Sequence, residues 1–520
     1  MKDEIIFRDE LEDEWEANEV YAILADCDQD FEPPLSERGS TVQKTWEKKS
    51  GDGVRNYYNE VAKQHTFLLK REKKIIAFLS FRSMEECEAL KNYRDICYFT
   101  TLCIRKEYRG QGLALVLYQK AKEYVEESSR YTVMALRTWS TNKAQLHLME
   151  KMDFHCETRL KNDRGEGIDT LYFVKEITGK GIRAYGYTIG NGKCGIRNTI
   201  TDVPGVKVGH YTVRKGKNQT GVTVIIPCDG FVYERKPLAA VYALNGFGKT
   251  QGTVQIEELG VLETPIALTN TLNVGKAADG LVTFTEKECR KNGKELVSVN
   301  PVVGETNDSR INQITERVIE AEDVLFAIEH AEKNFKQGAV GAGRGTVCFG
   351  LKGGIGSASR ILTFGGKEYT IGVLVQSNFG KTQDLTVAGV PVGRQICTKI
   401  QNSAKEDKGS IMVIVGTDLP LGERQLKRVL KRAAVGLIRT GSFMGHGSGD
   451  VFIGFTNANG IPDTKEEQFH IMKYFPENQL DKVFRLVAEA VEESILNSLT
   501  CAKAMPGRDG EIYHSLSEFL

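Results

Sequence analysis

The sequence predicts a mixed α/β (α+β) protein built from two unlike domains, and three observations support this prediction. Its 520 residues exceed the size of one ordinary domain. Short strand-like apolar runs alternate with segments of helical periodicity. Only seven of the 52 glycines, but all three tryptophans, precede residue 178, so the composition changes there. We therefore predict a first domain over 1–178, a Gly-rich linker over 179–195 and a second domain over 196–520.

Charge and cysteine usage argue against several classes of protein. Lys plus Arg equals Asp plus Glu at 69 each, so no bulk charge indicates nucleic acid or membrane as a partner. The eleven cysteines are dispersed without a CxxC pair, which is typical of reduced thiols. The acidic N-terminus lacks the apolar core of a signal peptide, and no apolar run approaches ~20 residues. We expect a cytoplasmic protein, and no metal site, because no cluster of ligand side chains has suitable spacing.

In the first domain, a series of strands leads to a loop that suits a phosphate-bearing ligand. Residues 67–84 have the pattern of a β-hairpin, and residues 97–104 form a further apolar strand. Helical spacing of apolar residues begins at Leu113, directly after Gly110 and Gly112. The free N–H groups and the positive end of the dipole at such a helix start can bind a pyrophosphate.

Two motifs of this domain resemble those of GNAT-type N-acetyltransferases. The run RGQGLA fits the signature R/Q-x-x-G-x-G/A, and after a strand at 132–139 the segment TNKAQLHLMEKMDF resembles the family's N-x-x-A-x-x-L-Y-x-x-x-G-F helix. The resemblance implies a mixed-sheet GNAT fold that binds acetyl-CoA and an amine acceptor. It also implies that the strand before the loop is splayed open to hold the pantetheine arm. The residues implied in cofactor binding are Arg109, Gly110, Gln111, Gly112, Leu113, Ala114, Leu102, Ile104 and Asn142.

Two positions of the second motif depart from the family pattern. Met149 stands where many members carry a tyrosine that returns a proton to the CoA thiolate, and Asp153 replaces a glycine. Methionine cannot donate a proton. The sequence offers other polar groups without selecting among them, and a non-catalytic CoA sensor or an assembly module stays open as an alternative. These polar groups are Tyr98, Tyr118, Tyr124, His147 and Cys156.

The stretch 408–459 of the second domain contains the candidate nucleophile. Ser410 lies between a polar segment, SAKEDK, which is typical of a loop, and the apolar strand-like run 411–415. Cleavage after Gly409 would make Ser410 a new N-terminus, whose α-amine can act as general base for its own hydroxyl. Glycine at 409 tolerates the strained backbone that such a self-cleavage needs.

Other motifs supply polar groups that suit the same chemistry. Ser448 and Asp450 lie two residues apart in a Gly-rich run and would share one face of a strand. Asn378 follows an apolar strand, where its amide suits donation to an oxyanion. The motifs TDVPGVKVGH, ALNGFGKTQG, TPIALTNTLNVG, NPVVGETND, VQSNFG, GSIMVIVGTDLPL and GHGSGDVFIGF occur in the order seen in the DmpA/BapA-type aminopeptidases, which the chain resembles from Ile196 onward.

This second resemblance implies an αββα sandwich of the DmpA and ornithine acetyltransferase type, and an enzyme that cleaves itself between residues 409 and 410. Ser410 would be the nucleophile and Asn378 an oxyanion donor, while Ser448 and Asp450 would orient and polarise the nucleophile. The implied substrates are small peptides or amino-acid amides, including those with D- or β-amino acids. No cofactor is implied for this domain, and the family assembles as homo-oligomers.

Further expectations concern the function and the helices of the second domain. An acyltransferase of ornithine-acetyltransferase type is the alternative function, although that family has threonine where Ser410 stands. Apolar spacing predicts a long helix over 311–336. It also predicts a basic amphipathic helix after Ser410. The apolar face of that helix contains Leu426, Val429, Leu430, Ala433 and Leu437.

Overall fold

The computed structural model divides the chain into two compact units. One unit comprises Met1–Glu126 and Tyr131–Thr178, and the other comprises Glu127–Arg130 and Gly179–Leu520. Asp153, one of the two departures from the acetyltransferase pattern, lies outside the described residues. The structure describes residues 3–38, 40–41, 53–84, 87–91, 93, 96–127, 131, 133–152, 154–176, 181–400, 409–463, 467 and 469–520. Within these ranges, no helix combines the length and the apolar character that crossing a bilayer requires.

The described residues of the first unit form seven strands and four α-helices. The strands are β1 (Asp3–Arg8), β2 (His65–Arg71), β3 (Lys74–Met84), β4 (Ile96–Ile104), β5 (Val133–Trp139), β6 (His155–Leu160) and β7 (Thr170–Glu176). The helices are α1 (Glu14–Cys27), α2 (Gly53–Val61), α3 (Leu113–Glu127) and α4 (Lys143–Lys151). The structure contains the predicted hairpin and the helix that starts at Leu113. It also contains the strand predicted before the glycine loop and the strand predicted before the second motif.

These strands form one sheet with an apolar core on each face. The strand order is β1-β2-β3-β4-β5-β7-β6, and β4 and β5 are parallel. Successive side chains of a strand point to opposite faces, so a sheet with two apolar faces needs a helical layer on each. Helices α3 and α4 cover one face with residues such as Leu117 and Met149. Helices α1 and α2 cover the other face with residues such as Ile23 and Tyr57.

In the second unit, the part of the chain that the structure describes forms two larger sheets, two short strand pairs and six α-helices. The strands are β8 (Lys207–Lys215), β9 (Asn218–Ile226), β10 (Arg235–Gly246), β11 (Ile266–Asn270), β12 (Val302–Thr306), β13 (Val347–Cys348), β14 (Leu351–Lys352), β15 (Gly354–Phe364), β16 (Lys367–Asn378), β17 (Ser410–Thr417), β18 (Gly449–Pro462), β19 (Met505–Pro506) and β20 (Ile512–Tyr513). The helices are α5 (Thr253–Leu259), α6 (Val274–Lys291), α7 (Ala321–Glu329), α8 (Gly393–Ile400), α9 (Glu423–Arg439) and α10 (Leu480–Thr500).

The main elements of this unit stack in four layers. A five-stranded sheet, β10-β18-β17-β16-β15, and a four-stranded sheet, β12-β11-β9-β8, share an apolar core that includes Met412 of β17 and Leu268 of β11. Helices α9 and α10 cover the outer face of the larger sheet, where Val413 of β17 is buried. Helices α6 and α7 cover the smaller sheet. Because β17 is buried on both faces, it reads as a continuous apolar run. This arrangement confirms the predicted αββα architecture.

One of the two predicted helices is much shorter than expected. The helix predicted over 311–336 extends only over Ala321–Glu329. Arg317 has a positive φ of 47°, and Glu320 with Asp323 forms a capping box, so the helix cannot begin earlier. After the helix, the chain pairs with β8 as an isolated bridge. The basic amphipathic helix is confirmed as α9, and its predicted apolar face is buried.

Residues 181–195, which belong to the predicted linker, pack within the second unit. Ile182 and Ile189 are buried in the core that contains α10. The N–H of Ile182 donates to Asn497 Oδ1 on α10 at 2.8 Å. This segment is therefore not a free connection, and its glycines belong to tightly packed loops. The domain limits predicted from composition stay a prediction.

Candidate active site

Ser410 lies where the ends of three strands of the five-stranded sheet meet. It is the first residue of β17 and is opposite Asn378, the last residue of β16. On the other side, Ile411 is opposite Asp450, near the start of β18. The fold thus brings together residues that are far apart in the sequence and that were predicted as catalytic.

The Ser410 hydroxyl is almost buried, but it borders a cleft. The residue is 7% exposed, and its Oγ accepts a hydrogen bond from the N–H of Gly449 at 3.1 Å. This bond uses only an acceptor position, so the hydroxyl keeps its own proton to give away. The cleft has a volume of about 310 Å³, and its wall includes Ser410, Asn378 and Gly447.

Gly409 occupies a position where no side chain fits. A Cβ at residue 409 would lie 1.8 Å from the carbonyl oxygen of Asn378 and 2.6 Å from the Cα of Phe379. Such overlap with backbone atoms cannot be relieved without moving a strand. Close packing of the end of β16 against the Gly409–Ser410 peptide bond therefore requires glycine at this position.

Ser448 and Asp450 form a buried hydrogen-bonded pair next to Ser410. The Ser448 Oγ donates to Asp450 Oδ1 at 2.7 Å, and both residues are about 1% exposed. The N–H of Ser448 donates to the carbonyl of Gly445 at 2.9 Å, and Asn245 Nδ2 donates to the same carbonyl at 2.7 Å. These bonds hold the loop that leads into β18. Gly449 is the first residue of that strand, and its N–H contacts the candidate nucleophile.

The side chain of Asn378 is held in place by two backbone contacts. Its Oδ1 accepts from the N–H of Val347 at 2.9 Å, and its Nδ2 donates to the carbonyl of Asn307 at 3.0 Å. An amide nitrogen carries two N–H groups, so one donor remains in addition to the bond with Asn307. The amide is therefore fixed in the wall of the cleft, as a preorganised hydrogen-bond donor must be.

A buried carboxylate in the same cleft was not among the predicted site residues. Glu305 of β12 is 4% exposed and lines the cleft. Its Oε1 accepts from the backbone N–H of Lys249 at 2.8 Å, and its Oε2 accepts from the Thr271 hydroxyl. Both donors are neutral groups, and this oriented carboxylate is of the kind that binds a cationic ligand.

In the first unit, the predicted cofactor residues line a separate cleft of about 370 Å³. Gly110 and Gly112 both have φ of 76° just before α3, a conformation that glycine adopts without strain. The Arg109 Nε donates to the carbonyl of Ile104 at 3.0 Å, so its guanidinium supports the loop. Gln111 is the exception among the predicted residues, since its Oε1 accepts from Arg71 outside the cleft wall. The predicted residues that line the cleft are Leu102, Ile104, Arg109, Gly110, Gly112, Leu113, Ala114 and Asn142.

The sheet opens between β4 and β5 beside this cleft. The last paired residues of the parallel ladder are Phe99 and Leu136, although β4 continues to Ile104 and β5 continues to Trp139. Residues of both strands beyond the last pair line the cleft. This is the gap that the resemblance implied for the pantetheine arm, and the backbone N–H groups of the glycine loop are donors of the kind that a pyrophosphate accepts.

Only one of the five polar groups considered as substitutes for the missing tyrosine lines this cleft. Tyr118 of α3 is buried there, and its hydroxyl accepts a hydrogen bond from Gln145 Nε2 at 3.0 Å. Burial raises the pKa of this phenol, so the hydroxyl holds its proton. Met149 is fully buried in the core beneath the sheet. His147 lies on the exposed face of α4.

In a comparison with known proteins, the two parts of the chain that contain these clefts match two different families. The sequence model of peptidase family S58 matches residues 198–513. The chain belongs to peptidase family S58. The model of the acetyltransferase (GNAT) family matches residues 18–154, so the first unit contains a GNAT domain.

Relatives of the S58 part are similar in both sequence and structure. The β-peptidyl aminopeptidase BapA of Sphingosinicella microcystinivorans is 37% identical over 343 residues, which is 61% of this chain and 85% of that protein. The PH0078 protein of Pyrococcus horikoshii is 46% identical, with a TM-score of 0.62 over 65% of this chain and 96% of the other. The L-aminopeptidase D-Ala-esterase/amidase of Ochrobactrum anthropi, described as a variant of the Ntn-hydrolase fold, is 34% identical with a TM-score of 0.61. It covers 65% of this chain and 96% of that protein.

These findings confirm the predicted union of a GNAT domain with a hydrolase domain of the aminopeptidase type. Sequence reasoning missed Glu305 in the S58 cleft and Arg137 in the GNAT cleft. The position of Glu305 could have been noticed in the sequence, because a glutamate in an otherwise apolar strand is rarely buried without a specific partner. No sequence pattern pointed to Arg137, since an arginine near the end of a strand is ordinarily solvated.

Proposed function

We propose that the S58 unit is an N-terminal-nucleophile serine aminopeptidase that produces its own nucleophile by cleaving the bond between Gly409 and Ser410. The observation that carries this proposal is the position of Ser410, which heads a buried strand, borders a cleft and lies beside Asn378 and the Gly449 N–H. The same hydroxyl can thus reach the preceding peptide bond and, later, a substrate in the cleft.

Self-cleavage begins when the Ser410 Oγ attacks the carbonyl carbon of Gly409. A C–O bond forms, the C–N bond breaks, and the released amine takes up the proton of the hydroxyl. Water then hydrolyses the ester, which leaves a carboxylate on Gly409 and a free amine on Ser410. The resulting chains of 409 and 111 residues stay together because β17 remains paired with β16 of the longer chain.

In the mature enzyme, the Ser410 α-amine is the general base for its own hydroxyl. A terminal amine has a pKa of about 7.7–8.0, so much of it is neutral under mildly alkaline conditions. The Gly449 N–H orients Oγ, and the buried Ser448–Asp450 pair fixes the backbone that carries this donor. Asn378 stabilises the oxyanion with its second N–H, an interaction worth roughly 2.7–4 kcal/mol.

We propose that Glu305 binds the ammonium group of the substrate's first residue. Its carboxylate lies in the same cleft as Ser410, is buried, and is oriented by Lys249 and Thr271. When the substrate's ammonium group is bound at this position, only the first amide bond of the substrate reaches Ser410, so one residue is released at a time. The substrates are then small peptides and amino-acid amides, and the names of the relatives extend this proposal to D- and β-amino acids at the first position.

Amides of alanine and β-alanine, each with a free or an acetylated amine, test this function. We expect the wild-type protein to hydrolyse the free-amine substrates and Ser410→Ala to hydrolyse none. Glu305→Gln should raise KM for the free-amine substrates more than it changes kcat, because the reacting groups stay in place. Acetyl transfer from N-acetyl donors without amide hydrolysis would instead support the acyltransferase alternative.

For the GNAT unit, we propose acetyl-CoA-dependent N-acetylation of an amine. Acetyl-CoA, when bound, supplies the activated acetyl group. The N–H groups of the glycine loop and the start of α3 bind its pyrophosphate, and the gap between β4 and β5 holds its pantetheine arm. Tyr118 takes the place of the missing tyrosine, since this residue lines the cleft and its hydroxyl keeps its proton.

Free thiol release with acetyl-CoA and a panel of amines measures this second activity. Tyr118→Phe should lower kcat about 10²-fold, the low end of general acid–base contributions, and leave acetyl-CoA affinity nearly unchanged. Acetyl-CoA binding without any thiol release would indicate a sensor. An unchanged kcat in Tyr118→Phe would remove this residue from the mechanism.

We also propose that the protein forms a homo-oligomer. Phe469 and Ile471 lie in the segment that follows β18 and are almost fully exposed. Large apolar side chains in such a cluster are typical of a surface that another subunit covers.

A further inference from the structure

Arg137 lies at the inner end of the GNAT cleft, on the strand that borders the gap. It directly follows Leu136, the last residue of β5 that pairs with β4, and it lines the cleft. Its Nη2 reaches the carbonyl of Thr41 at 3.5 Å. Arg137 therefore lies on β5 where the two strands separate, at the inner end of the gap proposed for the pantetheine arm.

Two further arginines approach the same region through the aromatic residues of the cleft wall. The Cζ of Arg38 lies 5.0 Å from the ring centre of Phe31, and the Cζ of Arg164 lies 5.4 Å from the ring centre of Trp139. Phe31 and Trp139 line the cleft, and their ring centres are 5.9 Å apart. Both arginine residues are less than 9% exposed.

The electrostatic behaviour of these groups indicates that their positive charges act on one another. Burial, followed by the charges of Arg38 and Arg137, lowers the pKa of Arg164 to about 9. Burial raises the pKa of Tyr98, and the positive charge of Arg137 partly opposes this shift. The Tyr98 hydroxyl is buried without a hydrogen-bond partner in the described part of the chain. Arg38 and Arg164 already donate to nearby backbone carbonyls, so they fix two positive charges beside Arg137, which lines the cleft.

We propose that this cluster binds the carboxylate of the acetyl acceptor, and that the acceptor is therefore a small amino acid. Guanidinium groups bind carboxylates with paired, charge-assisted hydrogen bonds, and burial strengthens such bonds. A carboxylate held by Arg137 places the acceptor's amine near the gap between β4 and β5. This inference rests on the proposed acetyltransferase function of the unit.

The chemistry of the acceptor also suggests the class of reaction that supplies it. Hydrolysis of a peptide at its first amide releases a residue with a free amine and a new carboxylate. The proposed S58 activity makes products with both groups, whereas its amide and peptide substrates present no carboxylate close to their amine. A carboxylate site in the GNAT unit would therefore select the product of the hydrolase over its substrate.

Acetylation of β-alanine and of β-alanine amide by the full-length protein tests the proposal. The two molecules differ only at the group that the arginines would bind. We expect kcat/KM to be at least about tenfold higher for the amino acid, in line with one charge-assisted hydrogen bond. Arg137→Gln should remove this preference. Arg159→Gln is the matched control, because that arginine of β6 is exposed and pairs with Asp169, the residue before β7.

Binding of the reaction products distinguishes failure of this inference from failure of catalysis. By isothermal titration, the wild-type protein should bind N-acetyl-β-alanine more tightly than N-acetyl-β-alanine amide, and Arg137→Gln should bind both alike. This result would support the carboxylate site even if no amine were acetylated. Equal wild-type affinities for the two products, or a preference that survives in Arg137→Gln, would overturn it.

Discussion

At the residue scale, the charge of Asp450 can be changed with almost no change in shape. The carboxylate is buried and accepts a hydrogen bond from Ser448, beside the strand that carries Ser410. We expect Asp450→Asn to lower kcat for amide hydrolysis by about 10²-fold or more, the range of acid–base and electrostatic contributions. Asp450→Glu should retain more activity, because it keeps the charge and moves it by one methylene. Equal rates for Asp450→Asn and wild type would exclude an electrostatic role.

Gly409 provides a second prediction at this scale. An added Cβ would overlap the carbonyl oxygen of Asn378 at 1.8 Å, so Gly409→Ala must displace the scissile peptide bond or the end of β16. We expect slow or absent self-cleavage, measured as the fraction of intact chain against time. Gly275→Ala is the control, since an added Cβ there meets no atom within 4 Å. Wild-type cleavage in Gly409→Ala would show that this close packing is not needed.

The sequence was a good guide to those site residues that stand at strand ends. Ser410 and Asn378 were identified because each lies at the boundary between an apolar run and a polar loop, and their register opposite one another follows from the sheet. The position of Glu305 in the cleft depends on β12 of the other sheet, and local pattern cannot report which distant strand lies nearby. Hydrogen bonds such as that from Gly449 to Ser410 depend on the same long-range pairing.

At the element scale, the segment before β8 is joined to α10 by buried charges. Glu493 of α10 is fully buried, and its carboxylate accepts from Arg183 at 2.7 Å and from Arg360 at 2.7 Å. Burial raises the pKa of Glu493, but the charges of Arg360 and Arg183 outweigh it and lower the value to about 2. This network explains why the segment that composition marked as a linker is part of the second unit.

The network predicts a specific response to substitution and to acid. Glu493→Gln leaves the buried Arg183 without its carboxylate and Arg360 with only Glu489, which should cost about 3–5 kcal/mol in the free energy of unfolding. Since the folded pKa lies below the ordinary value of 4.5, this stabilisation is present above pH 4.5 and is lost as the pH falls toward about 2. Urea unfolding of the wild type between pH 7 and 3 should show this loss, and Glu493→Gln should show less of it.

An exposed ion pair of the same unit serves as the control. Glu368 pairs with Lys193 at 2.7 Å, and both side chains are more than half exposed. Glu368→Gln should change the free energy of unfolding by about 1 kcal/mol or less. Similar losses in the two variants would mean that burial does not determine the strength of the Glu493 network.

The elements themselves were predictable where one period dominates the pattern. Helix α9 has a strict apolar face, and its buried residues are those expected from spacing. The stretch 311–336 has apolar residues at helical intervals too, but Arg317 adopts a left-handed conformation and residues around it form hydrogen-bonded turns. Such local alternatives to a helix are not visible in periodicity, because polar side chains and tertiary contacts decide them.

At the scale of the whole molecule, the exposed apolar side chains after β18 predict self-association. Replacing Phe469 and Ile471 with serine should lower the molar mass in solution, measured by light scattering, because the proposed interface loses its largest apolar groups. Val297→Ser is the control, since that side chain is exposed but isolated in the sequence from this segment. An unchanged mass in the double variant would place the subunit contact elsewhere or exclude it.

The chain joins two folds whose proposed reactions are chemically complementary. The proposed hydrolysis at the S58 cleft yields a product with an amine and a carboxylate, which is the class of acceptor proposed for the GNAT cleft. The fold class of each unit could be inferred from ordered motifs and periodicity, as the αββα layers confirm. The proximity of Arg137 to Arg38 and Arg164 could not be inferred from the sequence, because these residues come from three separate segments that meet only in the folded unit.

The central claim, that Ser410 first cleaves its own chain and then acts from the new terminus, is tested most directly by a denaturing gel with intact-mass measurement. The purified wild-type protein should appear as chains of 409 and 111 residues, with Ser410 as the first residue of the shorter one. Ser410→Ala should remain a single chain and hydrolyse no amide. A wild-type protein that stays in one piece under native conditions and still hydrolyses amino-acid amides would contradict the account.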